Sequence, residues 1–527
     1  MIEILWCRRN PVKSGGRREV EGGERAVVSE ELSAEVVIIG SGAGGGTLAF
    51  GLARRGIDVL LVERGTFVAS EPQNWDPRAV FVDDRYGAGE RWLDGRGRVY
   101  APRVHYIVGG SSKFWGACLT RFRREDFGAL EHYGGLSPAW PISYDELAPF
   151  YAEAEGLYGV RGAPGQEPTE PSGPHGYVAG AVDHEPQTTQ VVARLRAAGL
   201  HPYHLPLGID LGGGGACVRC NTCDAYPCML LAKCDADTRC VRPALELGAR
   251  LATGIAVTRL LTDSSGRKVV AAGGVRDGAQ VEVRGETFVV ACGAVNSAVL
   301  LLRSGSDKHP DGLANSSGQV GRNYMAHHLS ALMAFRCERN RIDFQKTIGL
   351  NDWYLPSPGE RAPLGNLQTI GKVRPEMLPS QLRRLPRAVL EQATSRSLDW
   401  LVTTEDLPEP TNRVTVTGSG KVRVNWQPTN ERAHVKLIRK ARAALRRAGF
   451  PIVLTRRFGI ENDSHQCGTV RFGSDPSAAP LDPYCKAHDL DNLYVVDASF
   501  LPSSTALNPG LTIAAQALRV AAQSGIC

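Results

Sequence analysis

The chain has 527 residues, of which 43% are hydrophobic and 22% charged, and its formal net charge is +6. A chain of this length exceeds one ordinary hydrophobic core, so two or more packed domains are expected. The basic residues are scattered among acids and cluster only in short groups such as "RRLPR", and no run of eighteen apolar residues occurs. These features argue against a nucleic-acid partner and against a membrane span.

The N-terminal residues are polar, charged and glycine-bearing, which predicts a disordered or poorly ordered tail over residues 1–33. Arg8-Arg9 is typical of a twin-arginine export signal, but no apolar segment follows it, so the expected location is cytoplasmic. Thiols stay reduced in the cytoplasm, and the thirteen cysteines therefore do not predict a disulfide framework.

The first strong motif is "EVVIIGSGAGGGTLAFGLARRGIDVLLVERG". Two short apolar runs, separated by a helix pattern, predict two buried parallel strands. Between them, Gly40, Gly42 and Gly45 have the G-x-G-x-x-G spacing, which permits a tight turn, close approach of the backbone to a pyrophosphate, and close packing of helix on strand. Glu63 ends the second strand, where a carboxylate accepts hydrogen bonds from ribose hydroxyls. The motif predicts a dinucleotide site but does not separate FAD from NAD.

Three further segments are informative: "YIVGGSSKFWGACLTRF" (Tyr106–Phe122), "VVACGAVNSAVLLLRSG" (Val289–Gly305) and "LDNLYVVDASFLPSSTALNPGLTIAAQALRVA" (Leu490–Ala521). Together with the N-terminal motif, and in the same order, they resemble the glucose–methanol–choline (GMC) family of FAD-dependent oxidoreductases over most of residues 35–525. The resemblance implies an α/β fold, with a Rossmann-like FAD-binding domain assembled from separated segments. It also implies an α+β substrate domain with an antiparallel sheet.

The implied FAD-binding domain covers residues 34–160, 206–325 and 456–527, with a cysteine-rich loop at 217–240, and the implied substrate-binding domain covers 161–205 and 326–455. Within the substrate domain, "EDLPEPTNRVTV" followed by "KVRVNW" has turn residues between alternating runs. This pattern predicts a hairpin of the antiparallel sheet.

The resemblance also assigns the cofactor residues. Gly109, Gly110 and Ser111 match the loop that wraps the flavin, and Asp497 matches an acid near the ribityl and phosphate groups. The full implied set is Gly40, Ser41, Gly42, Ala43, Gly44, Gly45, Glu63, Arg64, Gly109, Gly110, Ser111, Ser112, Trp115, Gly116, Ala117, Val257, Asp497, Ala498, Asn508, Pro509, Leu511 and Thr512. Phe114 stands where some members carry a histidine bonded to FAD, so FAD without a covalent link is expected.

The family's active-site base matches His465 of "HQCGT", and its partner matches Asn508 of "ALNPGLT". Oxidation of a CH–OH group by hydride transfer to flavin N5 requires the hydroxyl proton to leave, and a neutral imidazole can accept it. A neutral amide can hydrogen-bond the same oxygen without competing for the proton. Taken alone, His465 is interpreted as a buried structural histidine, and the surrounding motifs favour the catalytic role. His327 and His328 are interpreted as structural.

A cysteine cluster, "CVRCNTCDAYPCMLLAKCDADTRC", places Cys217, Cys220, Cys223 and Cys228 at intervals close to a ferredoxin-type run. The last interval is one residue longer, and no proline follows. These four residues are candidate metal ligands. An iron–sulfur cluster, a zinc ion and a loop of reduced thiols all remain open.

Within the family, the chain most resembles bacterial sugar oxidoreductases, namely pyranose-oxidase-like glycoside oxidases and the sugar dehydrogenases of aminoglycoside biosynthesis. The leading prediction is FAD-dependent oxidation of a sugar, glycoside or aminocyclitol CH–OH group to a carbonyl, with O2 or another electron acceptor as the second partner. The alternatives are oxidation of a non-sugar alcohol, the flavin subunit of an electron-transfer complex that relays through a cysteine-bound cluster, and a non-redox lyase.

Overall fold

The computed structural model describes residues 30–212, 214–462 and 465–526. The helices in these ranges are α1 (Ala43–Ala53), α2 (Pro77–Phe81), α3 (Tyr144–Leu157), α4 (Pro186–Ala197), α5 (Arg242–Glu246), α6 (Ala294–Arg303), α7 (Arg387–Thr394), α8 (Glu431–Arg447) and α9 (Gly510–Gln523). None of the helices within these ranges combines the length and the apolar character needed to cross a lipid bilayer.

The strands are β1 (Glu30–Ile39), β2 (Val59–Val62), β3 (Trp92–Asp94), β4 (Val99–Tyr100), β5 (Leu130–Glu131), β6 (Leu136–Ser137), β7 (Val160–Gly162), β8 (Ala179–Gly180), β9 (Tyr203–His204), β10 (Leu207–Gly208), β11 (Arg250–Ala252), β12 (Ala256–Thr262), β13 (Val269–Arg276), β14 (Ala279–Val290), β15 (Met325–Ala326), β16 (His328–Phe335), β17 (Ile348–Leu350), β18 (Asn366–Thr369), β19 (Ser397–Thr404), β20 (Arg413–Val416), β21 (Val422–Asn425), β22 (Ile452–Arg457), β23 (Gln466–Cys467) and β24 (Leu493–Val495).

The larger sheet carries the glycine motif. Its strand order is β11-β2-β1-β14-β13-β12, and β24 also pairs with β14. Strand β1 pairs in parallel with β2 and with β14, so that Ile38 lies between Leu61 and Val289. Helix α1 packs against α9, and Gly51 lets the two helices approach, since a Cβ there would lie 2.8 Å from that of Ala521. The prediction of a Rossmann-like domain built from separated segments is confirmed.

The second sheet has six antiparallel strands in the order β22-β16-β19-β18-β17-β9. Helix α8 covers it with a buried stripe of Ala433, Leu437, Ala441 and Ala444, whose spacing of three to four residues matches one face of a helix. This stripe belongs to the same apolar cluster as Trp400 of β19. The predicted α+β domain with an antiparallel sheet is thereby confirmed.

Two predictions about chain segments need correction. Strands β20 and β21 form the predicted hairpin, but β21 pairs with β3 in a separate four-stranded sheet. Val414 and Val424 of the hairpin are buried in the core of the larger sheet, which explains this location. Residues 30–33 of the predicted tail belong to β1, where an ion pair joins Glu30 to Arg276 at 2.6 Å. Residues 1–29 lie outside the described residues, and the remaining domain limits stay a prediction.

A fully buried acid, Asp399 of β19, organises one end of the second sheet. Its Oδ2 accepts hydrogen bonds from Lys372 Nζ at 2.5 Å and from Gln345 Nε2 at 3.1 Å, and its Oδ1 accepts one from Ser397 Oγ at 2.6 Å. Burial lowers the pKa of Lys372, and the attraction of Asp399 opposes that shift. Because Lys372 is 10% exposed, its charge depends on this partner.

We expect Asp399→Ala to lower the free energy of unfolding by about 3–5 kcal/mol, because it leaves the Lys372 ammonium buried without its acid. Asp491→Ala is the control, since the Arg267–Asp491 pair is 68% and 38% exposed. That change should cost less than about 1 kcal/mol. Denaturant unfolding followed by circular dichroism compares the two variants, and equal losses would contradict the role given to Asp399.

Candidate functional site

A cavity with a volume of about 780 Å³ is lined by residues of both sheets. It brings together His465 and most of the predicted cofactor residues, namely Gly40, Ser41, Gly42, Ala43, Gly44, Glu63, Arg64, Gly110, Ser111, Ser112, Trp115, Gly116, Val257, Asp497, Ala498, Asn508 and Pro509. Segments that are hundreds of residues apart in the sequence therefore share one space.

Five predicted cofactor residues lie behind the cavity wall: Gly45, Gly109, Ala117, Leu511 and Thr512. A Cβ on Gly45 would overlap the carbonyl oxygen of Gly40, so this glycine serves the contact between helix and strand. Thr512 Oγ1 lies 2.7 Å from the Tyr151 hydroxyl, and Leu511 is buried in the core. These residues support the wall and do not form its surface.

The glycine loop shapes one end of the cavity. Gly40 has a φ of +102°, a value that favours glycine, and leads from β1 into the turn. A Cβ on Gly42 would meet no atom of the described residues within 4 Å, so this position faces open space. The first turn of α1, all of which the structure describes, carries no acidic side chain. The positive end of the helix dipole is therefore available to an anion such as a pyrophosphate.

Ser41 joins the first glycine loop (residues 40–45) to a second glycine loop (residues 109–112). Its hydroxyl donates to Glu63 Oε2 at 2.7 Å and accepts from the Gly109 amide at 3.1 Å. Burial raises the pKa of Glu63, and the hydrogen bonds from Ser41 and Gly65 act against that shift. Gly109 thus contributes through this link, although it does not line the cavity.

Ion pairs and hydrogen bonds hold the second glycine loop against the cysteine-rich segment. Lys113 is buried and pairs with Asp235 at 3.1 Å and Asp237 at 2.9 Å. Burial disfavours the ammonium, but the attraction of the two aspartates outweighs it, and the pKa of Lys113 is raised. Lys233 Nζ donates to the carbonyl oxygen of Trp115 at 2.9 Å and adds a second contact. The segment thus fixes the loop that the sequence assigns to the flavin.

The metal prediction is not supported. Cys217, Cys220, Cys223 and Cys228 line a separate cavity of about 20 Å³, and the described residues contain no group of three or more His, Cys, Asp and Glu side chains placed to hold a metal. Burial raises the pKa of Cys223 to about 12, so this thiol is protonated. Cys220 Sγ lies 3.0 Å from Thr222 Oγ1. The cysteines in the described ranges are unbridged thiols.

His465 lies next to a second histidine. Its Nδ1 is 2.9 Å from His327 Nδ1, and His327 Nε2 is 2.9 Å from the carbonyl oxygen of Ser504. A carbonyl can only accept, so His327 carries its proton on Nε2 and accepts through Nδ1. Neutral His465 then carries its proton on Nδ1 and has its lone pair on Nε2.

Both imidazoles are neutral at ordinary pH. Burial lowers the pKa of His327 to about 4. Burial, with a contribution from the positive charge of Lys346, lowers the pKa of His465 to about 3. A neutral histidine with a fixed tautomer can accept a proton at a defined atom.

Asn508 lies one residue before Pro509, the N-cap of α9, and lines the same cavity as His465. Its Oδ1 accepts a hydrogen bond from Gln368 Nε2 at 3.1 Å, so its amide nitrogen remains as the donor group. Two buried polar atoms of cavity residues, Gln368 Oε1 and Trp115 Nε1, have no hydrogen-bond partner among the described residues. They are available to a bound molecule.

The sequence did not identify His327, Lys346, Gln368 and Asp224 as site residues, although each contacts the site or lines the cavity. His327 was assigned a structural role. It faces His465 because β15 pairs with β23 and Ala326 lies opposite Gln466. The sequence offers one signal for this contact, the "HH" pair. Gln368 belongs to β18 of the second sheet and Lys346 lies in the turn before β17, and no motif marks either residue.

The chain matches the GMC oxidoreductase family models over residues 34–329 and 408–517. Paromamine 6'-oxidase of Streptomyces fradiae is 33% identical over 92% of this chain and 90% of that protein, and 6'''-hydroxyparomomycin C oxidase of Streptomyces lividus is 32% identical over the same shares. The structure of pyridoxine 4-oxidase from Mesorbium loti has a TM-score of 0.64 at 20% identity, covering 93% of this chain and 99% of that one. The chain therefore belongs to the GMC oxidoreductase family and is an FAD-dependent oxidoreductase of alcohols or sugars.

Proposed function

We propose that the enzyme oxidises a CH–OH group of a sugar, glycoside or aminocyclitol to a carbonyl, with His465 as the base. The observation that supports this best is the chain from Ser504 through His327 to His465, which leaves His465 Nε2 as the basic atom of a cavity residue. The names of the two Streptomyces relatives state the oxidation of aminoglycoside compounds, and this similarity supports the substrate class.

The residues of the cavity fit FAD. Gly42 faces open space, and a Cβ on Gly110 would come within 3.1 Å of the Gly42 Cα, so the two glycine loops form a narrow channel that side chains would close. FAD, when bound, accepts the hydride that leaves the substrate carbon. Phe114 has no atom that could form the covalent link made by histidine, and we propose that FAD is held non-covalently.

The protein's own residues handle the hydroxyl proton. His465 takes it on Nε2, and the resulting imidazolium still donates its Nδ1 proton to His327, so no side chain needs to rotate. The amide nitrogen of Asn508 can donate to the substrate oxygen, because Gln368 occupies the carbonyl side of that amide. His327 acts as a positioning residue that fixes the tautomer of His465.

An anaerobic substrate screen tests the proposed function. We expect sugars, glycosides or aminocyclitols to bleach the flavin absorbance, because the cavity holds a base beside several groups that hydrogen-bond hydroxyls. Bleaching by non-sugar alcohols alone, or by no compound of the screen, would contradict the proposal. Readmission of air then shows whether O2 reoxidises the flavin or another acceptor is needed.

We expect His465→Ala to retain FAD and to slow flavin reduction by about 10²- to 10⁴-fold, the usual contribution of a general base. The matched control is His488→Ala. That histidine is also half-buried, and its Nε2 bonds the Gly473 carbonyl away from the cavity lining. Stopped-flow reduction of the flavin compares the two variants. A near-normal rate in His465→Ala would rule out its role as the base.

For His327→Leu we expect kcat to fall about 10- to 100-fold with little change in KM, because outer partners orient a reacting histidine without touching the substrate. His327→Gln should recover part of kcat, since its amide oxygen can accept from His465 Nδ1. Steady-state kinetics and the FAD content of each variant distinguish this role from a structural one. Loss of FAD, or equal rates in Leu and Gln, would contradict it.

A further inference from the structure

The cysteine-rich segment contributes Asp224 and Ala225 to the cavity lining, and its thiols lie elsewhere. Asp224 follows Cys223 directly, lines the cavity, and is 25% exposed. The backbone around it is fixed, because the Ala225 amide donates to the Phe114 carbonyl at 2.8 Å and Lys233 Nζ donates to the Tyr226 carbonyl at 2.6 Å. The segment therefore holds Asp224 at a defined place on the wall.

Asp224 forms an ion pair with Lys346, which lines the same cavity and is 2% exposed. The other carboxylate oxygen accepts from the Gly371 amide at 2.7 Å. The pair lies directly above Gly116, since a Cβ on that glycine would overlap both Lys346 Nζ and Asp224 Oδ1. Asp224 and Lys346 line the same cavity as His465.

The groups around this pair suit hydroxyls better than ions. The pair has no net charge, so neither a substrate ammonium nor a carboxylate gains from it without meeting the like charge of Lys346 or Asp224. The ammonium offers donors, the carboxylate offers acceptor positions, and the unpaired Gln368 Oε1 adds another acceptor. A hydroxyl both donates and accepts, whereas an apolar alcohol would leave Gln368 Oε1 unpaired and would make no hydrogen bond with the ion pair.

We propose that Asp224 and Lys346 bind a second hydroxyl of the substrate and so select polyhydroxylated molecules over simple alcohols. This inference rests on the proposed function and specifies its substrate class. It gives the cysteine-rich segment a role in substrate binding through Asp224. Asp224 and Lys346 are specificity-determining residues, and His465 remains the base.

The test measures binding and flavin reduction separately in the FAD-loaded enzyme. The probes are methyl α-D-glucopyranoside, its 2-amino analogue as a cation, and cyclohexylmethanol, which has the ring and the CH2OH group without further hydroxyls. Binding is followed by tryptophan fluorescence, because Trp115 lines the cavity. We expect Asp224→Asn to weaken glucopyranoside binding about 10- to 100-fold, the effect of losing a charged hydrogen bond, and to leave cyclohexylmethanol unchanged.

The controls separate this role from a structural one. Glu360→Gln alters another lysine ion pair, that of Lys436, which lies outside the cavity lining, and it should leave the binding of all three probes unchanged. Lys346→Met should reproduce the selective loss, with FAD content and melting temperature reported for each variant.

Failure of the inference and failure of the proposed function give different results. Unchanged glucopyranoside binding in Asp224→Asn, an equal loss for cyclohexylmethanol, or a loss confined to the amino analogue would each overturn the inference. Absence of glucopyranoside binding to the wild-type enzyme would also overturn it. Tight glucopyranoside binding that is lost in Asp224→Asn, without flavin bleaching by any sugar, would support the binding site and contradict the proposed reaction.

Discussion

The contact on which the site depends is the buried pairing of Lys113 with Asp235 and Asp237. It joins the loop predicted to wrap the flavin to the end of the cysteine-rich segment, and the two are more than a hundred residues apart in sequence. A buried ion cluster is costly to break, since removing one partner leaves an uncompensated charge. The loop is therefore held by charges that are fixed in place by the fold. Arg242 extends the cluster through Asp237 at 2.9 Å.

Two separate features control the imidazole of His465, which lines the same cavity. Desolvation and the charge of Lys346 lower the pKa of His465 and keep it neutral, and its tautomer is set by His327 and the Ser504 carbonyl. Burial alone would keep the imidazole neutral without determining which of its two nitrogens is protonated. The carbonyl makes that choice, since it can bond only to a protonated Nε2 of His327. The electrostatics and the hydrogen-bond geometry thus act on different properties of the same imidazole.

The sequence predicted the parts of the site that depend on local backbone geometry. Gly40, Gly42 and Gly45 are required by a turn, an open channel and a helix contact that lie within a few residues of one another. His327 could not be placed in the same way, because its contact with His465 follows from the two-residue register of β15 with β23. The metal prediction was not supported for a related reason. Cysteine spacing does not show that the carbonyl of Cys223 is bound by Lys233 or that its thiol is buried.

The hydroxyl-binding pair extends this argument to a residue that the sequence did identify. Gly116 was predicted as a cofactor residue, and it lines the cavity. The position must nevertheless be glycine because of Asp224 and Lys346, whose charged atoms occupy the space that a Cβ would take. These two residues come from segments 122 positions apart, and no local pattern could connect them to a glycine in the loop. The need for glycine at a position in a cofactor motif can thus come from the residues proposed to bind the substrate, because Asp224 and Lys346 pack against the Gly116 Cα.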